Sequence, residues 1–236
     1  MNYDEIIEFL VKEVGKKIEE EKTRKIEMEK NNVLLIIHAG NAELSQILVE
    51  LEKLSKKYNL ETVYTRSAKK LSYDKISKII ENEKELSYEN AENLLNGKDL
   101  VLIPFLTKSS AAKIAYGIRD TEASYLISKA ILAGKTIVAT YNSCRIDGET
   151  EYIKQINSNI DKLKTYGIRF TDAKNLATYT ENIFNKKLIY LAHKSSISTK
   201  DISNLRDTDI IISKDTSITN LVLDRAKELK INFVRE

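Results

Sequence analysis

The sequence predicts an α/β protein: a doubly wound, mostly parallel sheet with a small C-terminal extension. Two observations carry that expectation. From Val33 onward, short apolar or β-branched runs alternate with helix-length amphipathic segments. The runs are continuously apolar, as in Val33-Leu34-Leu35-Ile36-Ile37 and Leu100-Val101-Leu102-Ile103, which suits strands covered on both faces. Composition agrees by exclusion. Seven glycines, one proline and one cysteine among 236 residues leave no material for a collagenous, disulfide-stapled or zinc-cluster protein.

The elements follow in order. Residues 3–30 read as helix, with Ile6, Phe9, Leu10, Val14 and Ile18 at three-to-four spacing and an almost wholly charged stretch after Lys16. Such a helix suits either docking on the body with a solvated arm beyond it, or binding a partner. The first strand, 33–38, ends at Ala39-Gly40, and Asn41 is placed to cap a helix running to Tyr58 with Leu44, Ile47, Leu48, Leu51 and Leu54 inward. A strand at 62–65, a helix at 73–83, a short helix at 89–95 and a strand at 100–103 running into Pro104 come next. One alanine-rich helix is expected from 110 to 133, stopped by Gly134. A strand at 136–140, a polar helix at 149–166 and a weak segment at 168–170 complete the series. A strand at 187–192 and a terminal strand–helix–strand unit (209–212, 218–229, 231–234) follow, and no internal repeat is evident. The expected organisation is an N-terminal helix and arm (1–30), a main domain (31–185) and an α/β extension (186–236).

Charge and hydropathy narrow the function classes. The 38 basic and 35 acidic residues are interspersed, so the chain offers no basic footprint for nucleic acid. No apolar run approaches the roughly 20 residues that span a bilayer, and Met1–Glu5 lacks the basic start of a secretory signal. The expectation is a cytoplasmic protein with Cys144 as a free thiol.

In doubly wound sheets, ligands bind outside the carboxyl ends of the strands. The loops at 39–42, 65–69, 105–110 and 141–147 are therefore the candidate site. Gly40, Asn41 and Ala42 lie at a strand–helix junction whose N–H groups and positive helix end suit a phosphate, although Gly40 equally suits a plain tight turn. Neither a G-x-G-x-x-G nor a G-x-x-x-x-G-K-[ST] motif is present. Thr65 and Ser67 offer hydroxyls in the next loop. After Pro104, the small and hydroxyl residues from Thr107 to Ala112 suit a flat ring packed on backbone, with Thr107 and Ser109 facing its polar edge. Gly117, costing about 1 kcal/mol inside a helix, implies close approach of another helix or a ligand.

At Pro104–Ser109 and Ala112–Asp120 the chain resembles the superfamily of homo-oligomeric flavin-containing cysteine decarboxylases, whose pattern reads approximately Pro-Ala-Thr/Ser-Ala-Asn-Thr followed by Ala-Lys-Ile-Ala-x-Gly-Ile-x-Asp. The resemblance spans about residues 33–142. It implies a Rossmann- or flavodoxin-like sheet binding FMN, with Gly40, Asn41 and Ser67 near the phosphate, Thr107, Lys108 and Ser109 near the isoalloxazine ring, and a site at a trimer interface. Lys108 stands where the family favours Asn, which suits a cation stabilising a reduced, anionic flavin or a solvated lysine. The decarboxylase members keep a histidine after the second strand, whereas this chain has none between His38 and His193. Of their Pro-x-Met-Asn segment only Asn142 is matched. His38 and His193, each ending a strand, suit structural roles.

The resulting expectation is an FMN-binding flavoprotein acting on a small molecule by redox or other flavin-dependent chemistry. A cysteine-type decarboxylase and a non-catalytic nucleotide- or partner-binding module stand as alternatives. The tail at 210–231 is similar to a segment of proteins encoded with bacterial microcompartments, and the N-terminal helix is similar to their encapsulation helices. That resemblance implies a shell or core partner engaged by residues 1–22.

Overall fold

Both faces of the first strand are covered, and its alternate side chains enter two different cores. The computed structural model describes residues 30–185 and 188–235, so the helix expected over 3–30 lies, but for its last residue, outside the described residues. In β1 (Asn32–Ile37), Leu34 and Ile36 join one buried cluster while Val33, Leu35 and Ile37 join the other. That is the period of two of a pleated strand.

The other main-sheet strands are β2 (Asn59–Tyr64), β3 (Leu100–Ile103), β4 (Ile137–Thr140) and β5 (Ile168–Thr171). All pair in parallel, in the order β2-β1-β3-β4-β5. Apolar residues of α1 (Leu44–Lys57), α2 (Arg66–Leu71), α3 (Tyr73–Ile76) and, later in the chain, α8 (Leu176–Phe184) fill the cluster on one face. Those of α4 (Ala91–Leu95), α5 (Lys108–Ala115), α6 (Glu122–Leu132) and α7 (Glu151–Thr165) fill the cluster on the other. The chain leaves β1 toward β2 on one side and returns past β1 to β3 on the other. This reversal of strand order makes the loops after β1 and β3 diverge, and a crevice opens between such loops.

Three expected helices are reshaped. α1 starts at Leu44 rather than after Asn41, because residues 41–43 wind a turn across the strand ends: the Asn41 carbonyl accepts from the Leu44 N–H at 3.2 Å, and Glu43 takes the cap position at φ 55°. The helix expected at 73–83 stops at Ile76, since Asn82 and Lys84 hydrogen-bond to Thr62 of β2, each at 2.8 Å. The single helix expected at 110–133 is two. Gly117, at φ +72°, ends α5 with Gly117 N–H donating to Ile114 and Ile118 N–H donating to Lys113, a paired closure that needs a left-handed residue. A Cβ at Gly117 would meet nothing within 4 Å, so no other helix among the described residues packs against it. Thr121 and Ser124 then cap α6 reciprocally. Helix α8, not anticipated, packs Leu176 and Ala177 beside α1, and the buried Glu50 carboxylate of α1 accepts from the Ala177 N–H at 2.8 Å.

The C-terminal residues build a second parallel sheet, β10-β8-β6, from β6 (Leu188–Tyr190), β8 (Thr208–Ile212) and β10 (Ile231–Arg235). Between these strands lie β7 (Ser196–Ile197), α9 (Thr199–Ile202), β9 (Ser217–Ile218) and α10 (Asn220–Glu228). The unit is a repeat. Leu188 pairs with Asp209 and Ile197 with Ile218, the same offset of 21 residues in both ladders, so β6–β7–α9 is stacked on β8–β9–α10. Ser196-Ile197-Ser198 and Ser217-Ile218-Thr219 are its sequence trace.

Candidate functional site

The loops after β1, β3 and β4, closed on one side by α7, line a cleft of about 700 Å³ at the divergence of the strand ends. Its floor is fixed by close packing at Gly40. A Cβ there would lie 2.6 Å from Ser143 Oγ and 2.8 Å from Phe105 Cβ, and Phe105 is fully buried. Gly40 is not among the left-handed glycines. The position is held to glycine by the approach of the β3 and β4 loops rather than by its own torsion.

Asn142 ties those loops together. Its Nδ2 donates to the Ala42 carbonyl at 2.6 Å, and the single Thr140 Oγ1 proton is shared between Asn142 Oδ1 and the Pro104 carbonyl. The amide is thereby engaged on both atoms, joining the ends of β1, β3 and β4. Ser143 Oγ, next in sequence, is buried and has no hydrogen-bond partner. Cys144 is buried too, with burial pushing its thiol up to about 12, so it stays protonated and unreactive at neutral pH.

The second wall is the first turn of α5. Thr107 caps it, accepting from the Ser110 N–H at 3.3 Å. Thr107 Oγ1 also meets Ser109 Oγ at 3.3 Å and donates to Ser110 Oγ at 2.9 Å, and Ser110 Oγ reaches His38 Nδ1 at 2.8 Å. His38 is only 3% exposed, and burial lowers its pKa to about 4, so the ring is neutral. Lys108 is the one charged side chain among the described residues lining the cleft. Tyr116 and Tyr152 form the rim, 61% and 75% exposed, with Gln155 Nε2 donating to Tyr116 Oη at 3.1 Å.

The structure thus brings Gly40, Asn41, Ala42, Thr107, Lys108, Ser109 and Asn142 together. Thr65 and Ser67 are not among the lining residues. They lie at the end of β2, an edge strand separated from β3 by β1, where the Thr65 hydroxyl caps α2 by accepting from the Ala68 N–H at 3.2 Å. Ser143, Tyr152 and Asn159 in the lining, and Ser110 behind the wall, are residues that sequence reasoning left out. Ser110 and Ser143 sit in loops already singled out, whereas nothing in the sequence sets α7 over the strand ends.

The family model described as Flavoprotein matches residues 21–187. No curated protein sequence matches the chain. Among solved structures, the apo form of DmrB from Burkholderia xenovorans, a cubic protein cage for redox transfer, is similar at a TM-score of 0.54 and 13% identity, over 66% of this chain and 97% of its own. A PPC decarboxylase mutant is similar at 0.51 and 13%, over 66% and 99%. The phenylacrylic acid decarboxylase of Aquifex aeolicus is similar at 0.50 and 14%, over 66% and 96%. At such identities the likeness is one of fold.

Proposed function

The chain belongs to the flavoprotein family, and from that premise we propose that it binds FMN in the cleft between the β1, β3 and β4 loops and uses it for redox or other flavin-dependent chemistry on a small molecule. The observation that carries this reading is the cleft's charge. Among the described residues its lining contains one cation, Lys108, at the positive end of α5, and no carboxylate, an environment suited to an anionic ligand. Fit follows from the same residues. Ala39, Ala42 and Ala112 leave room for a flat ring, Gly40 keeps the floor clear of side chain, and the partnerless Ser143 hydroxyl lies in the wall. Gly40, Asn41 and Ala42 serve the phosphate side, and Thr107, Lys108, Ser109 and Asn142 the ring side.

FMN, when bound, supplies an electron-accepting ring. The protein's own residues bind and orient it. Lys108 offsets negative charge on the ring and phosphate, Asn142 locks the three loops that shape the cleft, and Tyr116 and Tyr152 flank the solvent side. A cysteine-type decarboxylation on the same fold and cofactor stands as the alternative reading. The exposed rim tyrosines and the cage formed by DmrB support a homo-oligomer, trimer or higher. Microcompartment placement rests on the tail at 210–231 and the apolar spacing of residues 6–18.

Purified protein should be yellow, or become so on adding FMN, and release flavin fluorescence when denatured. A colourless protein that fails to take up FMN rejects the reading. Lys108→Glu should weaken FMN binding by about tenfold at low salt and by less at high salt, where exposed charges are screened. A separate outcome tests the partner: a protein lacking residues 1–22 should keep its flavin and lose co-sedimentation with microcompartment shells. Unchanged co-sedimentation counts against encapsulation.

A further inference from the structure

His38 does not line the cleft, yet a continuous chain of hydroxyls connects it to the wall. Counting protons along that chain fixes its direction as far as Ser110. Each hydroxyl has one proton to give. Thr107 gives its proton to Ser110 Oγ, so at its contact with Ser109 it can only accept, and Ser109 must donate. Ser110 Oγ, having accepted from Thr107, keeps its own proton to give, and His38 Nδ1 lies 2.8 Å away to take it. With that hydrogen bond given to Nδ1, Nδ1 is the bare nitrogen of a neutral ring and the ring proton sits on Nε2, which is buried without a hydrogen-bond partner.

We propose that His38 is a positioning residue that sets the hydrogen-bond polarity of the cleft wall: through Ser110 and Thr107 it draws the hydroxyl protons inward, leaving the Ser109 oxygen to accept an N–H from the bound ring. The proposal rests on the FMN reading for the identity of that ring. A flavin has an N–H at N3 in both redox states and gains one at N5 on two-electron reduction, so an acceptor in the wall that meets N5 favours the reduced form. Ser109 is exposed at the cleft surface, free to meet such a group.

Two measurements test this. In cofactor-free protein, the imidazole ¹⁵N spectrum should show His38 protonated at Nε2 and bare at Nδ1, its signals assigned by their loss in His38→Asn, since His193 is the only other histidine. The opposite tautomer overturns the proposal whether or not FMN binds. In the flavin-loaded protein, His38→Leu and Ser110→Ala should each lower affinity for reduced relative to oxidised FMN by about tenfold, a shift of about 30 mV to more negative potential for a two-electron couple. The double variant should shift no further than either single one, because both break the same chain. His38→Asn, whose Oδ1 can accept from Ser110, should restore the potential. Retained FMN with an unshifted potential overturns the role of His38 while leaving the FMN reading intact. If wild-type protein does not bind FMN, that reading fails, and the tautomer alone decides the polarity of the wall.

Discussion

Gly40→Val should yield a protein that neither retains FMN nor melts at the wild-type temperature, and Gly40→Ala should reproduce much of the defect. The cause is steric. The first atom of any side chain at position 40 lies 2.6 Å from Ser143 Oγ and 2.8 Å from Phe105 Cβ. Ser143 can rotate its hydroxyl away, but Phe105 is fully buried and its Cβ moves only with its backbone. The β1 loop must therefore lift from the β3 loop, straining the bond between Asn142 Nδ2 and the Ala42 carbonyl that closes the cleft floor. Overpacking of this kind costs about 1–3 kcal/mol, several degrees in melting temperature for a protein of this size. Gly40→Ala combined with Ser143→Gly should recover only part of the loss, because the Phe105 contact remains. A Gly40→Ala protein with wild-type melting and flavin content would mean that the three loops do not pack as described. The steric origin also makes Gly40→Asp a poor probe of the phosphate: its Cβ fails before its charge acts.

What the sequence made legible follows the strength of each local signal. The strands β1, β3 and β4 are unbroken apolar runs, and Gly134 follows its helix as a stop should. Gly117 does the same for α5, with φ +72°, but the alanine-rich pattern continues across it, and Thr121 with Ser124 is a quieter start signal than the helical period it interrupts. The candidate loops could be read because topology alone directs ligands to strand ends. The contributions of α7 and the bond between His38 and Ser110, 72 residues apart, exist only once the sheet is assembled. The C-terminal repeat was hidden for another reason: its two coils share a constant register of 21 residues but little more than a Ser-Ile-Ser/Thr core.

Acidification should destabilise the protein through His38. The folded ring has a pKa of about 4 against an ordinary 6.5, with burial the sole cause. Between those values the unfolded chain binds a proton that the folded chain refuses, so stability rises with pH across the window. The contribution is fully present above pH 6.5 and is lost as pH falls toward 4, about 3 kcal/mol over the whole range. Denaturant midpoints for the wild type should fall steadily from pH 6.5 to 4.5. Asp201, held down to about 2 by Lys194 and the Ser198 N–H, loses its own contribution below that window and does not mask the effect. His38→Leu should be less stable at pH 7, because Ser110 loses its acceptor, yet its midpoint should stay nearly level over the same range. If the variant keeps the wild-type slope, another group is responsible. Protonating Nδ1 also removes the acceptor that Ser110 uses, so the hydroxyl chain to Ser109 reverses or breaks in the same step. Flavin release on acidification should therefore precede global unfolding in the wild type, and that interval should close in His38→Leu, where the chain is already broken at neutral pH.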